Sequence, residues 1–105
     1  MFKKQIDFRH NPRHEVHLSV EFTGDQLSGK GLVCNLSRSG CCIRGDTRVP
    51  VGAFVELEIN LPDASTPLII DLGVVRWSAG ERFGIDFLQL KESETRRLKQ
   101  FLTTL

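Results

Sequence analysis

Apolar and polar side chains alternate along several short stretches of the chain. In the first, Val16, Leu18, Val20 and Phe22 alternate with polar residues, and this period of two places one face of a β-strand in a core. The same alternation predicts another strand over residues 55–61. Segments bounded by turn residues predict four more strands, over residues 30–34, 41–44, 68–77 and 82–88.

The period changes near the C-terminus, where Ser93 is a candidate N-cap of a short helix. The residues that would share one helical stripe are Leu90, Glu94, Leu98, Phe101, Leu102 and Leu105. Six strands followed by one helix indicate a mostly β fold, a six-stranded antiparallel (split) β-barrel with a C-terminal α-helix, because closure removes exposed strand edges. Gly73 predicts a bulge within the fifth strand.

The composition fits one domain of 105 residues. Residues 1–14 show neither period, so we expect a flexible N-terminal arm there and a barrel domain over residues 15–105. The formal net charge of +1 favours neither DNA, RNA nor a membrane surface as a partner, and no apolar run approaches the about 20 residues of a membrane span. Three cysteines without a C-x-x-C motif argue against a secreted disulfide framework and favour the cytoplasm.

A polar turn, Asn35-Leu36-Ser37-Arg38-Ser39-Gly40, separates the second and third predicted strands. Asn and Ser bend their own backbone through local hydrogen bonds, and Gly40 is expected to supply a positive φ. Asn35 and Ser37 stand two residues apart, so in an extended segment both would face one ligand. An ordinary Asx-type hairpin turn is the alternative interpretation.

Two arginines, Arg9 and Arg13, lie four residues apart in the predicted arm. Pro12 disfavours a helix through this segment. The guanidinium group offers a rigid fork of donors that suits phosphate oxygens and the N7/O6 edge of guanine. These residues are candidate ligands for a phosphate-bearing guanine nucleotide, although charged arms are often only solvated.

Together, Arg9-x-x-x-Arg13 and Asn35-x-Ser37-x-x-Gly40 resemble the two motifs of the PilZ family. The resemblance covers nearly the whole chain and implies a β-barrel receptor for the bacterial second messenger cyclic di-GMP. It implies ligand contacts from Arg9, Arg13, Asn35, Ser37 and Gly40. Arg38, within the second motif, and Trp77, late in the fifth strand, are two further candidates. Asn35 stands where Asp is commoner in the family, and the arm lacks the fuller arginine run of some relatives.

No motif in the sequence indicates catalysis or a metal site. The chain has no glycine-rich phosphate loop opening a helix, no nucleophile elbow and no H-E-x-x-H motif, so we expect no enzyme. The histidines at positions 10, 14 and 17 would need a helix that Pro12 disfavours, so no metal is expected either.

The resemblance implies a receptor that binds cyclic di-GMP, needs no further cofactor, and signals to an unidentified effector protein by ordering of its arm, as a monomer or weak dimer. A PilZ-fold adaptor that binds a protein and no nucleotide is the alternative, and the presence of both arginines argues against it. A barrel that binds single-stranded nucleic acid is a third possibility. The near-neutral charge and the absence of tyrosine argue against that one.

Overall fold

The computed structural model of the protein describes residues 12–105, and in this range six strands precede one helix. β1 begins one residue before the predicted start of the barrel, and residues 1–11 of the predicted arm lie outside the described range. The elements are β1 (His14–Gly24), β2 (Leu27–Leu36), β3 (Gly40–Arg44), β4 (Phe54–Ile59), β5 (Leu68–Ala79), β6 (Arg82–Gln89) and α1 (Glu92–Leu102).

The six strands form a closed antiparallel barrel in the order β1-β2-β3-β6-β5-β4, and β1 completes the ring by pairing with β4. The fold class predicted from the sequence is therefore confirmed. Each of these strands has a neighbour on both sides, so no described strand is an edge strand over its whole length, although the β1–β4 ladder covers only Val20–Gly24 and the β4–β5 ladder ends at Val74.

The interior of the barrel holds the apolar face of every strand. In β1, Val16, Leu18, Val20 and Phe22 are buried, while the residues between them are exposed, as the alternation predicted. The rings of Phe22 and Phe83 meet edge to face with their centroids 5.2 Å apart. Such a pair contributes about 0.5–1.5 kcal/mol beyond the burial of its area.

Bulges adjust which side chains face outward near one end of β2. Val33 and Leu36 are both fully buried although they are three residues apart, which a regular period of two does not allow. A register shift between Val33 and Asn35 resolves this conflict and leaves Asn35 facing outward, opposite Cys42 of β3. The bulge predicted at Gly73 is also confirmed, because the pairing of β5 with β6 shifts between Leu72 and Gly73.

Helix α1 packs on the barrel through Leu98 and Leu102, which belong to the same apolar core. Its N-cap is Lys91, whose carbonyl accepts hydrogen bonds from the backbone of Glu94 and Thr95. The prediction that Ser93 caps the helix is therefore wrong, since Ser93 lies within the first turn. Within residues 12–105, no helix is long and apolar enough to cross a membrane.

Candidate ligand-binding site

The turn between β2 and β3 is built on the hydroxyl of Ser37. This Oγ accepts hydrogen bonds from the backbone N–H groups of Ser39 and Gly40, both at 3.2 Å, and donates to the Gly40 carbonyl at 3.3 Å. The Ser37 backbone N–H also donates to that carbonyl, at 2.9 Å. Ser37 is only 1 % exposed, so its hydroxyl holds the turn together and does not face outward beside Asn35 as the spacing suggested.

Gly40 meets a steric requirement that the sequence did not reveal. Positive φ occurs at Gly52 and Gly80 but not at Gly40, so the prediction of a left-handed conformation there is wrong. Gly40 instead opens β3 opposite Asp86 of β6, where a Cβ would collide with the carbonyl oxygen of Ile85. The glycine therefore allows the turn to sit close against β6.

Arg13, which directly precedes β1, contacts the first residue of the same turn. Its Nη1 donates a hydrogen bond to Oδ1 of Asn35 at 2.7 Å, across 22 residues of sequence. The pairing of Glu15 with Asn35 in the β1–β2 ladder brings the two strands together at this point. The second arginine of the first motif and the first residue of the second motif are thus in direct contact, whereas Arg9 lies outside the described residues.

A row of cross-strand partners extends outward from this contact. Asn35 faces Cys42, Cys42 faces Gly84, and Gly84 faces Trp77, so the row crosses β2, β3, β6 and β5. A Cβ on Gly84 would lie 2.5 and 2.8 Å from two carbon atoms of the Trp77 indole. Gly84 therefore makes room for the indole on the outer surface. Trp77 remains 42 % exposed.

Comparison with known protein families matches residues 7–104 to the PilZ domain. The chain belongs to the PilZ domain family. This family comprises receptors that bind cyclic di-GMP as a ligand, which accords with the motif resemblance. The match begins before Arg9, so it includes both motif arginines and the Asn35–Gly40 turn.

Two solved structures share the fold of this PilZ domain. The Bacillus subtilis inhibitor of motility, MotI/DgrA, superposes with a TM-score of 0.77 at 21 % identity over 96 % of this chain, which spans about half (52 %) of that protein. The PilZ domain of CeSA from a cellulose-synthesizing bacterium gives a TM-score of 0.71 at 12 % identity, covering 89 % of this chain and 96 % of the other. No curated protein matches the sequence significantly.

Arg38 projects from the turn toward helix α1. It is exposed and shares two adjoining clefts with Lys99, of about 430 and 240 Å³. His14 and Pro12 line the larger cleft, and among residues 12–105 no carboxylate lines either one. The sequence did not indicate Lys99 as part of this surface, because it lies far along the chain and is brought close only by the docking of α1.

Two cysteines that follow the turn, Cys41 and Cys42, are poor nucleophiles. Burial raises the pKa of the Cys42 thiol to about 11, assisted by a hydrogen bond with Cys34, and burial also raises the pKa of Cys41 strongly. Both therefore stay protonated at neutral pH, and the thiolate is the reactive form. Cys41 faces the core while Cys42 lies outward beneath its neighbours, as expected for consecutive strand residues.

Proposed function

We propose that this PilZ domain binds cyclic di-GMP and passes the signal to a partner protein by ordering of its N-terminal segment. The observation that carries the proposal is the 2.7 Å hydrogen bond from Arg13 to Asn35. It joins the two sequence motifs on one outward surface, and that surface continues to the half-exposed indole of Trp77. Guanidinium, amide and aromatic groups are the chemistry that recognises phosphates and guanines.

Each proposed contact follows from the two phosphates and two guanines of the ligand. Arg9 and Arg13 take phosphate oxygens or the Hoogsteen edges of guanine, and Asn35 bonds to a base. Trp77 stacks on a base plane, and Arg38 takes a phosphate at the rim of the turn. Charge-assisted hydrogen bonds of this kind contribute about 1.5–3 kcal/mol each before the cost of ordering the chain.

The structure of the turn refines the roles proposed for Ser37 and Gly40. Because the Ser37 hydroxyl is already engaged within the turn, its proposed role is to hold the backbone near Gly40 in position for the ligand. The same engagement favours the alternative function, a protein adaptor that does not bind nucleotide, because it leaves fewer side-chain groups for a ligand. The titration described below separates the two.

Asn35 bears on how strongly Arg13 would hold a phosphate. An aspartate at this position would form an ion pair with the guanidinium and offset its charge, whereas the amide oxygen accepts a hydrogen bond and leaves the charge uncompensated. We therefore infer that Asn35 weakens the attraction of Arg13 for an anionic ligand less than an aspartate would. In this proposal the protein acts by binding and not by catalysis, and it works in the cytoplasm.

Isothermal titration calorimetry with cyclic di-GMP tests the proposal. We expect a Kd of about 1 μM or lower, equivalent to about −8 kcal/mol. Arg13→Ala should abolish most of the binding while leaving the melting temperature nearly unchanged, since Arg13 precedes the first strand. The matched control is Arg48→Ala, an exposed arginine next to Thr47, which contacts Gly29 near the opposite end of β2.

The control variant should bind like the wild type. Absence of any heat with the wild-type protein, together with no competition against a labelled ligand, would refute nucleotide binding and leave the adaptor function. A large fall in the melting temperature of Arg13→Ala would show that Arg13 contributes to the fold and would remove the basis for assigning its effect to the ligand.

A further inference from the structure

The outer face of β4, β5 and β6 carries apolar side chains that the core does not use. Phe54 is 57 % and Leu88 46 % exposed, and Leu72 is half-buried. Val74 is covered but lies outside the core cluster. Phe54 of β4 and Val74 of β5 are cross-strand partners. Leu88 of β6 lies at the point where the pairing of β5 with β6 shifts register, next to Gln89, the partner of Leu72. We call these four residues the outer patch.

Carboxylates border the outer patch on the side of β4. Glu56 and Glu58 alternate with core residues along β4 and so face outward, and Asp71 follows the buried Ile70 in β5. The ion pairs that residues 12–105 make with one another are Arg76–Asp86, Arg96–Glu92 and Arg97–Glu94, none of which neutralises these carboxylates.

The row of carboxylates beside the outer patch continues from β4 onto β1, and this arrangement destabilises the folded protein. Glu21 lies directly opposite Glu58 in the β1–β4 ladder, and like charges in that position destabilise a sheet. Lys30 of β2 is the partner of Glu21 on its other side and offsets only that end of the border. A surface with exposed apolar side chains beside uncompensated carboxylates is typical of a protein interaction site.

We propose that the outer patch is a docking surface for a basic amphipathic helix of a partner protein. Because β4 is paired with β1 on one side and with β5 on the other, a partner cannot add a strand beside Phe54 and Glu58 and must dock there by its side chains. Apolar residues on one stripe of such a helix cover Phe54 and Leu88, while flanking lysines or arginines face Glu56 and Glu58. A second copy of this chain would instead bring carboxylates against carboxylates.

This surface shares no residue with the proposed nucleotide site. The outer patch consists of Phe54, Leu72, Val74 and Leu88, whereas the residue tested for nucleotide binding, Arg13, precedes β1 and contacts Asn35 in β2. Arg13→Ala is therefore expected to dock the helix as the wild type does. Failure of the nucleotide titration would leave this proposal standing, and failure of the docking test would leave nucleotide binding standing.

A fluorescein-labelled helical peptide of about 18 residues, with leucine on one stripe and lysine on the other, is a suitable probe for fluorescence anisotropy. We expect saturable binding that weakens with salt, and no binding of the matched leucine–glutamate peptide. Phe54→Ser should weaken binding at least tenfold. Leu32→Ser, which removes another large exposed apolar side chain (44 % exposed) from β2, should leave it unchanged.

Glu58→Lys is a second variant that tests the same surface if Phe54→Ser folds poorly. Replacing Glu58 removes its repulsion from Glu21, so this variant should be at least as stable as the wild type while also losing at least tenfold in affinity. Equal binding by the wild type and both patch variants would overturn the proposal. So would a wild-type dimer, seen by sedimentation velocity, that Phe54→Ser dissociates, since a second copy would then be the occupant.

Discussion

Helix α1 is fastened to the barrel by one buried carboxylate, and its removal should cost a measurable amount of stability. Oε1 of Glu94 accepts a hydrogen bond from the backbone N–H of Ile69 at 2.7 Å, and both carboxylate oxygens accept from Nη1 of Arg97 at 3.1 Å. Arg97 also donates to the carbonyls of Thr66 and Pro67, at 2.7 and 3.0 Å. The contact joins α1 to the start of β5.

The loss of folding free energy caused by Glu94→Ala can be estimated from the groups that lose their partner, the Ile69 N–H and the Arg97 guanidinium. An unpaired Ile69 N–H costs about 1–3 kcal/mol. Loss of the ion pair costs about 1 kcal/mol, below the value for fully buried pairs because Arg97 is partly exposed and keeps two carbonyl partners. The sum is about 2–4 kcal/mol. Glu94→Gln should cost only about 1 kcal/mol, since its amide oxygen can still accept from Ile69.

Chemical denaturation and thermal melting by circular dichroism measure this effect. We expect Glu94→Ala to lower the melting temperature by about 10–20 °C. The matched control is Glu92→Ala in the same helix, whose side chain is 88 % exposed and pairs with Arg96 at 3.2 Å, so its loss should cost at most about 0.5 kcal/mol. If Glu94→Ala and Glu92→Ala destabilise the protein equally, the assignment of Glu94 as the fastening residue is wrong.

Two further predictions concern the outer row of the candidate site. Gly84→Ala should displace the Trp77 indole, because the new Cβ would overlap it. Trp77 is the only tryptophan in the sequence, so the fluorescence emission of the protein should shift to longer wavelength. An unchanged emission spectrum would count against this packing. Iodoacetamide at neutral pH should modify Cys34 before Cys42, because Cys42 is buried and its thiol has a pKa of about 11. The rate of alkylation at Cys42 should rise as the pH approaches that value. Peptide mass spectrometry follows both sites, and early labelling of Cys42 would contradict the burial.

The fold could be predicted from the sequence because its main signal is local. The alternation in β1 and β4 reports directly which side chains the core takes, and closure was expected because it removes exposed strand edges. The ends of strands and helices depend on longer-range contacts, so their predicted positions were less accurate. β2 extends from Leu27 to Leu36, well beyond the predicted residues 30–34, because its polar N-terminal half is held by pairing with β1. The helix begins after Lys91 and not after Ser93, because the Lys91 carbonyl already accepts hydrogen bonds from the backbone N–H groups of Glu94 and Thr95.

The candidate site was only partly visible in the sequence. The motifs identified Arg13 and Asn35, and their contact is what the pattern implied. The internal role of Ser37 was not visible, because spacing alone assumes an extended segment, whereas the strand ends at Leu36 and the next residues turn. The need for glycine at positions 40 and 84 comes from neighbours on other strands, namely the Ile85 carbonyl and the Trp77 indole, which no local pattern reveals.

Strand β6 connects the two surfaces that are proposed to bind ligand and partner. Asp86 pairs with Gly40 on one side and with Val74 on the other, and Val74 in turn pairs with Phe54, so one row of cross-strand partners runs from the turn to the outer patch. The backbone N–H of Phe87 donates to the Ser39 carbonyl at 2.8 Å, which ties the turn to the strand that carries Leu88. Such a paired ladder resists large movements, because shifting one strand breaks hydrogen bonds on both of its sides. A signal from the proposed nucleotide site would therefore be carried better by the chain before β1 than by the barrel, which supports the role proposed for the N-terminal segment.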